Sequence, residues 1–184
     1  MRTQLTCFLS ACLLLASGRL GATVHVAAEW SELVASAQAI THGRVIDVQP
    51  RATADRRRVE TLVTLQVATY LKGDWGPTVT FVVPGGRIGR YRTVVLDAPR
   101  FVPGEEVVLL LGAQGPSLPY VIGLNQGVFR VTTDPASGRR EVHPVPVIGE
   151  GTEWTPVRRG DGSRRRLALT DFARQVERVL GRPQ

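Results

Sequence analysis

Val59-Glu60-Thr61-Leu62-Val63-Thr64-Leu65-Gln66-Val67-Ala68-Thr69-Tyr70-Leu71 is the stretch on which the fold turns. Val59, Thr61, Val63, Leu65 and Val67 recur at every second position. Glu60, Thr64 and Gln66 fall between them, and Leu62 is the exception. Side chains of a strand alternate between faces, so this spacing predicts an antiparallel strand with one face on a core. Lys72-Gly73-Asp74-Trp75-Gly76-Pro77 then carries turn chemistry. Thr78 to Val83 repeats the alternation, with Val79, Phe81 and Val83 on one face, and Pro84-Gly85-Gly86 stops it.

Upstream, Arg51 to Arg57 reads as a polar loop, and Ala39 to Val48 as a strand in which Gly43 marks a bulge. Trp30 to Gln38 reads as a short helix with Leu33, Val34 and Ala37 as its apolar stripe. Downstream, an irregular strand is expected around Tyr91 to Leu96, then a turn at Pro103-Gly104. Glu106 to Leu111 is apolar enough to be a central strand. Leu118 to Gly123 and Gly127 to Thr132 read as a hairpin around Leu124-Asn125-Gln126. Glu141 to Val147 reads as a last edge strand, limited by Pro144 and Pro146. Gly149 to Arg166 is a polar, arginine- and glycine-rich loop. A final helix follows, capped by Thr170, with Asp171 in its first turn and Phe172, Val176, Val179 and Leu180 as its apolar face; Gly181 ends it. Its polar face mixes Arg174, Glu177 and Arg178, which favours packing on the barrel over membrane binding.

The fold class is therefore mainly β: an OB-like barrel or small antiparallel sandwich flanked by an N-terminal and a C-terminal helix. Four segments are expected: 1–22 a signal peptide, 23–148 the barrel with its leading helix, 149–168 the polar loop, and 169–182 the closing helix.

Met1-Arg2-Thr3, the apolar run Leu5 to Ala16 and the small residues after it have the layout of a secretory signal peptide. The run is too short for a permanent transmembrane helix, and no later segment is long and apolar enough. Cleavage fits before Arg19 or before Thr23. Leu9-Ser10-Ala11-Cys12 also reads as a lipobox, which would make Cys12 a lipidated N-terminus. The expected location is thus periplasmic or extracellular, with a tethered lipoprotein as the alternative. Export would remove Cys7 and Cys12, the only cysteines. A mature chain without thiols has no disulfide, thiolate nucleophile or cysteine zinc site.

Three segments carry a resemblance: Ile40-Thr41-His42-Gly43-Arg44-Val45, the alternating strand ending in Tyr70-Leu71-Lys72-Gly73, and the run from Val79 through Phe101 to Gln126-Gly127-Val128-Phe129. From Trp30 to Thr132 the chain resembles a family of secreted bacterial domains of unknown function. Its strand pattern is similar to the OB-like barrel of netrin-type modules and tissue inhibitors of metalloproteinases. The resemblance implies a fold, not an activity. Those inhibitors chelate zinc through an N-terminal cysteine held by disulfides, so neither their mechanism nor any site residue carries over.

The formal net charge is +7, carried almost wholly by arginine, with Lys72 the one lysine. Arginines cluster at 56–58, 139–140, 158–159 and 164–166, where each reads as a solvated turn or as attraction to polyanions. His25, His42 and His143 are isolated and lack metal spacing. No G-x-S-x-G elbow or H-E-x-x-H occurs, so no catalytic residue, metal site or cofactor is assigned and the reading is non-enzymatic.

Pro84-Gly85-Gly86-Arg87-Ile88-Gly89-Arg90 is the most suggestive loop. Its glycines would let backbone approach a ligand, and Arg87, Arg90 and Arg92 would pair with an anion. It opens no helix, so it is neither a phosphate loop nor a dinucleotide fingerprint. The expected function is an exported, non-catalytic binding module for an envelope or extracellular protein or a polyanion. A protease-inhibitor-like module is the alternative. Nucleic acid is disfavoured because aromatics do not interleave with arginines as a stacking platform requires.

Overall fold

The computed structural model describes residues 28–145 and 165–181. The signal segment 1–22 with Cys7 and Cys12, His25, the dipeptide Pro146-Val147, and residues 149–164 of the arginine-rich loop lie outside the described residues.

Three long strands form as the alternation dictates: β1 (Ala39–Ala52), β2 (Val59–Lys72) and β3 (Thr78–Pro84). After the small hairpin β4 (Gly86–Ile88) and β5 (Tyr91–Thr93) come β6 (Glu106–Gly112) and β7 (Tyr120–Val121). β1 pairs β2, β2 pairs β3, β3 pairs β7 in parallel, β7 pairs β6, and β6 returns to β1. This order closes a five-stranded OB-like ring. One seam is thin. β3 and β7 share the single ladder pair Val82 and Tyr120, and the Val82 N–H donates to Pro119 O at 2.8 Å. The ring is therefore only partly closed. β8 (Val128–Thr133), β9 (Arg140–Pro144) and β10 (Leu167–Ala168) extend the sheet beyond β6.

β6 shows how two cores are made from one strand. Val107, Leu109 and Leu111 enter the ring interior with Val45, Val63, Leu65 and Phe81. Val108 and Leu110 face the opposite way, into a second layer with Phe129, Val131 and Val142. That layer is covered by α1 (Trp30–Ser36) and α2 (Leu169–Leu180), which meet through Trp30 and Phe172 at 5.3 Å in an edge-on ring contact. Phe129 lies 5.7 Å from Trp30 and 4.9 Å from Phe172, completing an aromatic cluster beneath both helices. A strand wet on neither face must be apolar throughout, as Val107 to Leu111 is.

Several expectations are corrected. Residues 118–132 do not form a hairpin. Gly123 and Leu124 both take positive φ and lead into a 3₁₀ turn at Leu124–Gly127. The chain is kinked there rather than reversed: β7 and β8 both run antiparallel to β6, at Leu111–Gly112 and Val107–Leu109. The expected edge strand at 141–147 is β9, and it is not an edge, because β10 pairs with it. Arg51 and Ala52 extend β1 instead of starting the loop. Beyond Arg44 that strand pairs only with β2, so Pro50 costs no ladder bond on its open side. The irregular strand at 91–96 ends at Thr93. Thr170 does not cap α2, which begins at Leu169 after Ala168 with no side-chain cap. Leu180 lies off the buried face and is exposed, whereas Phe172 and Val176 are buried.

The Gly43 bulge is present. The β1–β2 register shifts between His42 and Gly43, and a side chain at 43 would collide with the Gln66 carbonyl. No helix among the described residues is long and apolar enough to cross a membrane.

Candidate functional site

One end of the ring is open. The end of β3, the start of β2 and residues 94–101 surround a cleft of about 710 Å³. Val63, Val83 and Phe101 form its floor and belong to the ring core, with Phe101 edge-on to Phe81 at 5.4 Å. Its charged lining consists of Arg87, Arg92, Arg100 and Arg130 against Asp97. The pairing of β4 with β5 sets Arg87 opposite Arg92, two like charges held side by side at the mouth.

Local chemistry holds this hairpin over the opening. The Val59 N–H donates to Thr93 Oγ1 at 2.8 Å, and Thr61 Oγ1 donates to the Gly85 carbonyl at 2.8 Å. Gly85 and Gly86 have φ of 93° and 147°, which L side chains rarely adopt. A Cβ on Gly86 would sit 2.6 Å from Thr61 Oγ1. Gly86 thus permits close approach to strand β2, and Gly85 to the Thr93 carbonyl.

Of the three arginines read from the sequence, Arg87 and Arg92 line the cleft, and Arg90 occupies the hairpin tip. Arg87 Nε donates to Gly89 O at 2.9 Å. Arg90 lies over the Tyr91 ring, 5.2 Å from its centroid. All three are exposed.

Two supporting groups escape a sequence reading. Asp97 is buried with φ of 59°, and Asn125 Nδ2 donates to its Oδ1 at 3.0 Å. The pair ties the 94–101 loop to the 3₁₀ turn. Arg130 forms an ion pair with Glu105, and its Nη2 donates to Arg100 O at 2.7 Å. Burial lowers the pKa of Arg130 from its ordinary value, the mark of a cation taken partly out of water. The nearest sequence signals are Asp97-Ala98-Pro99 and Gly123-Leu124-Asn125, which look like ordinary turns.

A second cluster sits on the outer face of the ring. His42 is buried, and its Nε2 lies 2.7 Å from Glu106 Oε1. Arg140 and Arg44 approach the same carboxylate at 3.5 and 3.8 Å. A recess of about 220 Å³ adjoins them. This arrangement clamps β1, β6 and β9 together through one carboxylate. His143 contacts Thr132 Oγ1 at 2.9 Å on the β8–β9 ladder. Arg166 pairs with Glu141, and Arg140 opens β9 instead of lying in a turn, while both side chains stay more than half exposed. No group of three or more potential metal ligands occurs among the described residues.

The outer face of β2 and β3 carries Leu62, Thr64, Thr80 and Val82, with Thr64 and Thr80 hydroxyls 3.0 Å apart. It offers no aromatic platform for stacking bases. In comparisons with family models, curated proteins and solved structures, nothing matches this chain.

Proposed function

We propose that the chain is an exported, non-catalytic binding module whose open barrel end receives an anionic envelope or extracellular partner. The observation that carries this reading is the cleft itself: an apolar floor beneath a rim with four arginines and one carboxylate. Guanidinium groups pair with carboxylates, sulfates and phosphates in forked geometry, and partial burial strengthens each contact. The apolar floor favours a partner that brings hydrocarbon as well as charge.

Binding is favoured over catalysis because the polar groups there are already engaged. Thr61, Thr93 and Asp97 all hold the hairpin and loop in place. Acyl transfer at this site would require a nucleophile beside a free base.

Heparin chromatography tests the charge. Wild type should be retained, and Arg87→Glu/Arg92→Glu should elute at clearly lower salt. A fluorescent peptide carrying acidic and leucine residues should compete. Retention that the double variant leaves unchanged would overturn the assignment of this end of the ring.

A further inference from the structure

The described residues expose nine large hydrophobic side chains. Six fall within residues 88–102: Ile88, Tyr91, Val94, Val95, Leu96 and Val102. Leu96 is 78 % exposed, and Tyr91, Val94 and Val102 are each 63 % exposed. A single exposed leucine needs no explanation, but a cluster of this density does.

The charges in the same stretch share one sign. Arg87, Arg90, Arg92 and Arg100 are exposed, whereas the one acid between them, Asp97, is buried against Asn125. β4 and β5 form a sheet of their own, outside the eight-stranded one, so the hairpin presents these groups at the molecule's margin. Tyr91 adds an amphipathic ring at the hairpin tip, packed against the Arg90 guanidinium.

We infer that the 86–102 segment docks the protein onto an anionic bilayer surface. Leu96, Val94 and Tyr91 enter the headgroup–acyl boundary, and the arginines lie against lipid phosphates. Apolar insertion combined with cationic attraction is the two-part chemistry that peripheral membrane binding uses. Charge complementarity selects the partner: the exposed cations here have no exposed acid between them to repel a uniformly anionic plane. The inference rests partly on the proposed anion-binding role, since Arg87 and Arg92 serve both. Ile88, Tyr91 and Val102, exposed and outside the cleft lining, distinguish the two.

Vesicle co-sedimentation tests it, with the whole chain and vesicles of phosphatidylcholine alone or with one-third phosphatidylglycerol. Wild type should pellet with the anionic vesicles and not with the neutral ones. Val94→Ser/Leu96→Ser should weaken partitioning by about tenfold, and Ile88→Ser/Tyr91→Ser, outside the cleft lining, should weaken it comparably while leaving heparin retention intact. Arg90→Gln should weaken it by about fivefold, one cation's share at such a surface. Circular dichroism and urea midpoints should match wild type in all variants. Vesicle binding indifferent to Val94→Ser/Leu96→Ser would overturn the docking inference and leave the anion site standing. So would concentration-dependent dimerisation abolished by that double variant, because a second copy would then cover the patch. Unchanged binding of anionic vesicles by Arg87→Glu/Arg92→Glu would overturn the inference too, because both arginines are placed against lipid phosphates.

Discussion

β6 and the β4–β5 hairpin are joined by twelve residues, yet they obey opposite rules. Val107 to Leu111 are wholly buried, with alternate side chains divided between two cores. The hairpin and the 94–102 segment after it display arginines and aliphatic groups together. In β6, composition answers to packing, since any polar atom there would have to find a partner in a dry layer. In the hairpin, packing asks for little, so its composition answers to something outside the molecule. Side chains that stability does not explain are where a binding surface is to be sought.

The largest effect should come from the double-sided core. Phe129→Ala, beneath both helices, should cost about 3–5 kcal/mol in urea denaturation. Leu96→Ala, with nothing packed over it, should stay within about 0.5 kcal/mol of wild type. If the two costs were similar, the loop would be part of the core and the contrast would collapse.

Next in size is the outer polar clamp. Glu106→Ala strands buried His42 without its 2.7 Å partner and frees Arg44 and Arg140, at about 1–3 kcal/mol. Gly86→Ala should cost about 1–3 kcal/mol through its positive φ and the crowding of Thr61. It should also displace the hairpin, so heparin retention should fall together with stability. A stable variant with full retention would show that hairpin position does not matter to binding.

The smallest effect is expected on acidification. Hydrogen bonds from the Thr53 and Ser137 hydroxyls hold the carboxyls of Asp55 and Asp134 below the usual carboxylate range. Their folded pKa values lie below the unfolded ones, so the stabilisation is complete above about pH 4 and fades as pH falls through the folded values. The urea midpoint should decline slightly below pH 4, and less in Asp55→Asn/Asp134→Asn. Both aspartates sit in hairpin turns rather than at the cleft, so the decline should spare the hairpin variants' rank order.

What was legible in the sequence was whatever depends on alternation. Val63, Leu65, Val79, Phe81 and Val83 lie inside the ring as a period of two requires, with Val67 packed against them. The apolar run at 106–111 gave away a strand buried on both sides. Illegible were the features set by distant partners. Glycines at both margins of Leu124-Asn125-Gln126 suggest a reversal, but the ladder with β6 turns the segment into a kinked single path. His42 looked isolated because Glu106 lies sixty-four residues away in the chain. The arginines of the hairpin were visible as candidates, but the cleft beneath them was not, because its floor is assembled from three separate strands and loops.

An NMR titration with a short heparin oligosaccharide tests the central claim most directly. Backbone amide shifts are predicted to concentrate between Gly85 and Phe101, with saturable binding that weakens as salt is raised. Shifts centred on Arg56–Arg58, or on His42 and Arg140 at the outer recess, would contradict the assignment of the open barrel end as the binding surface.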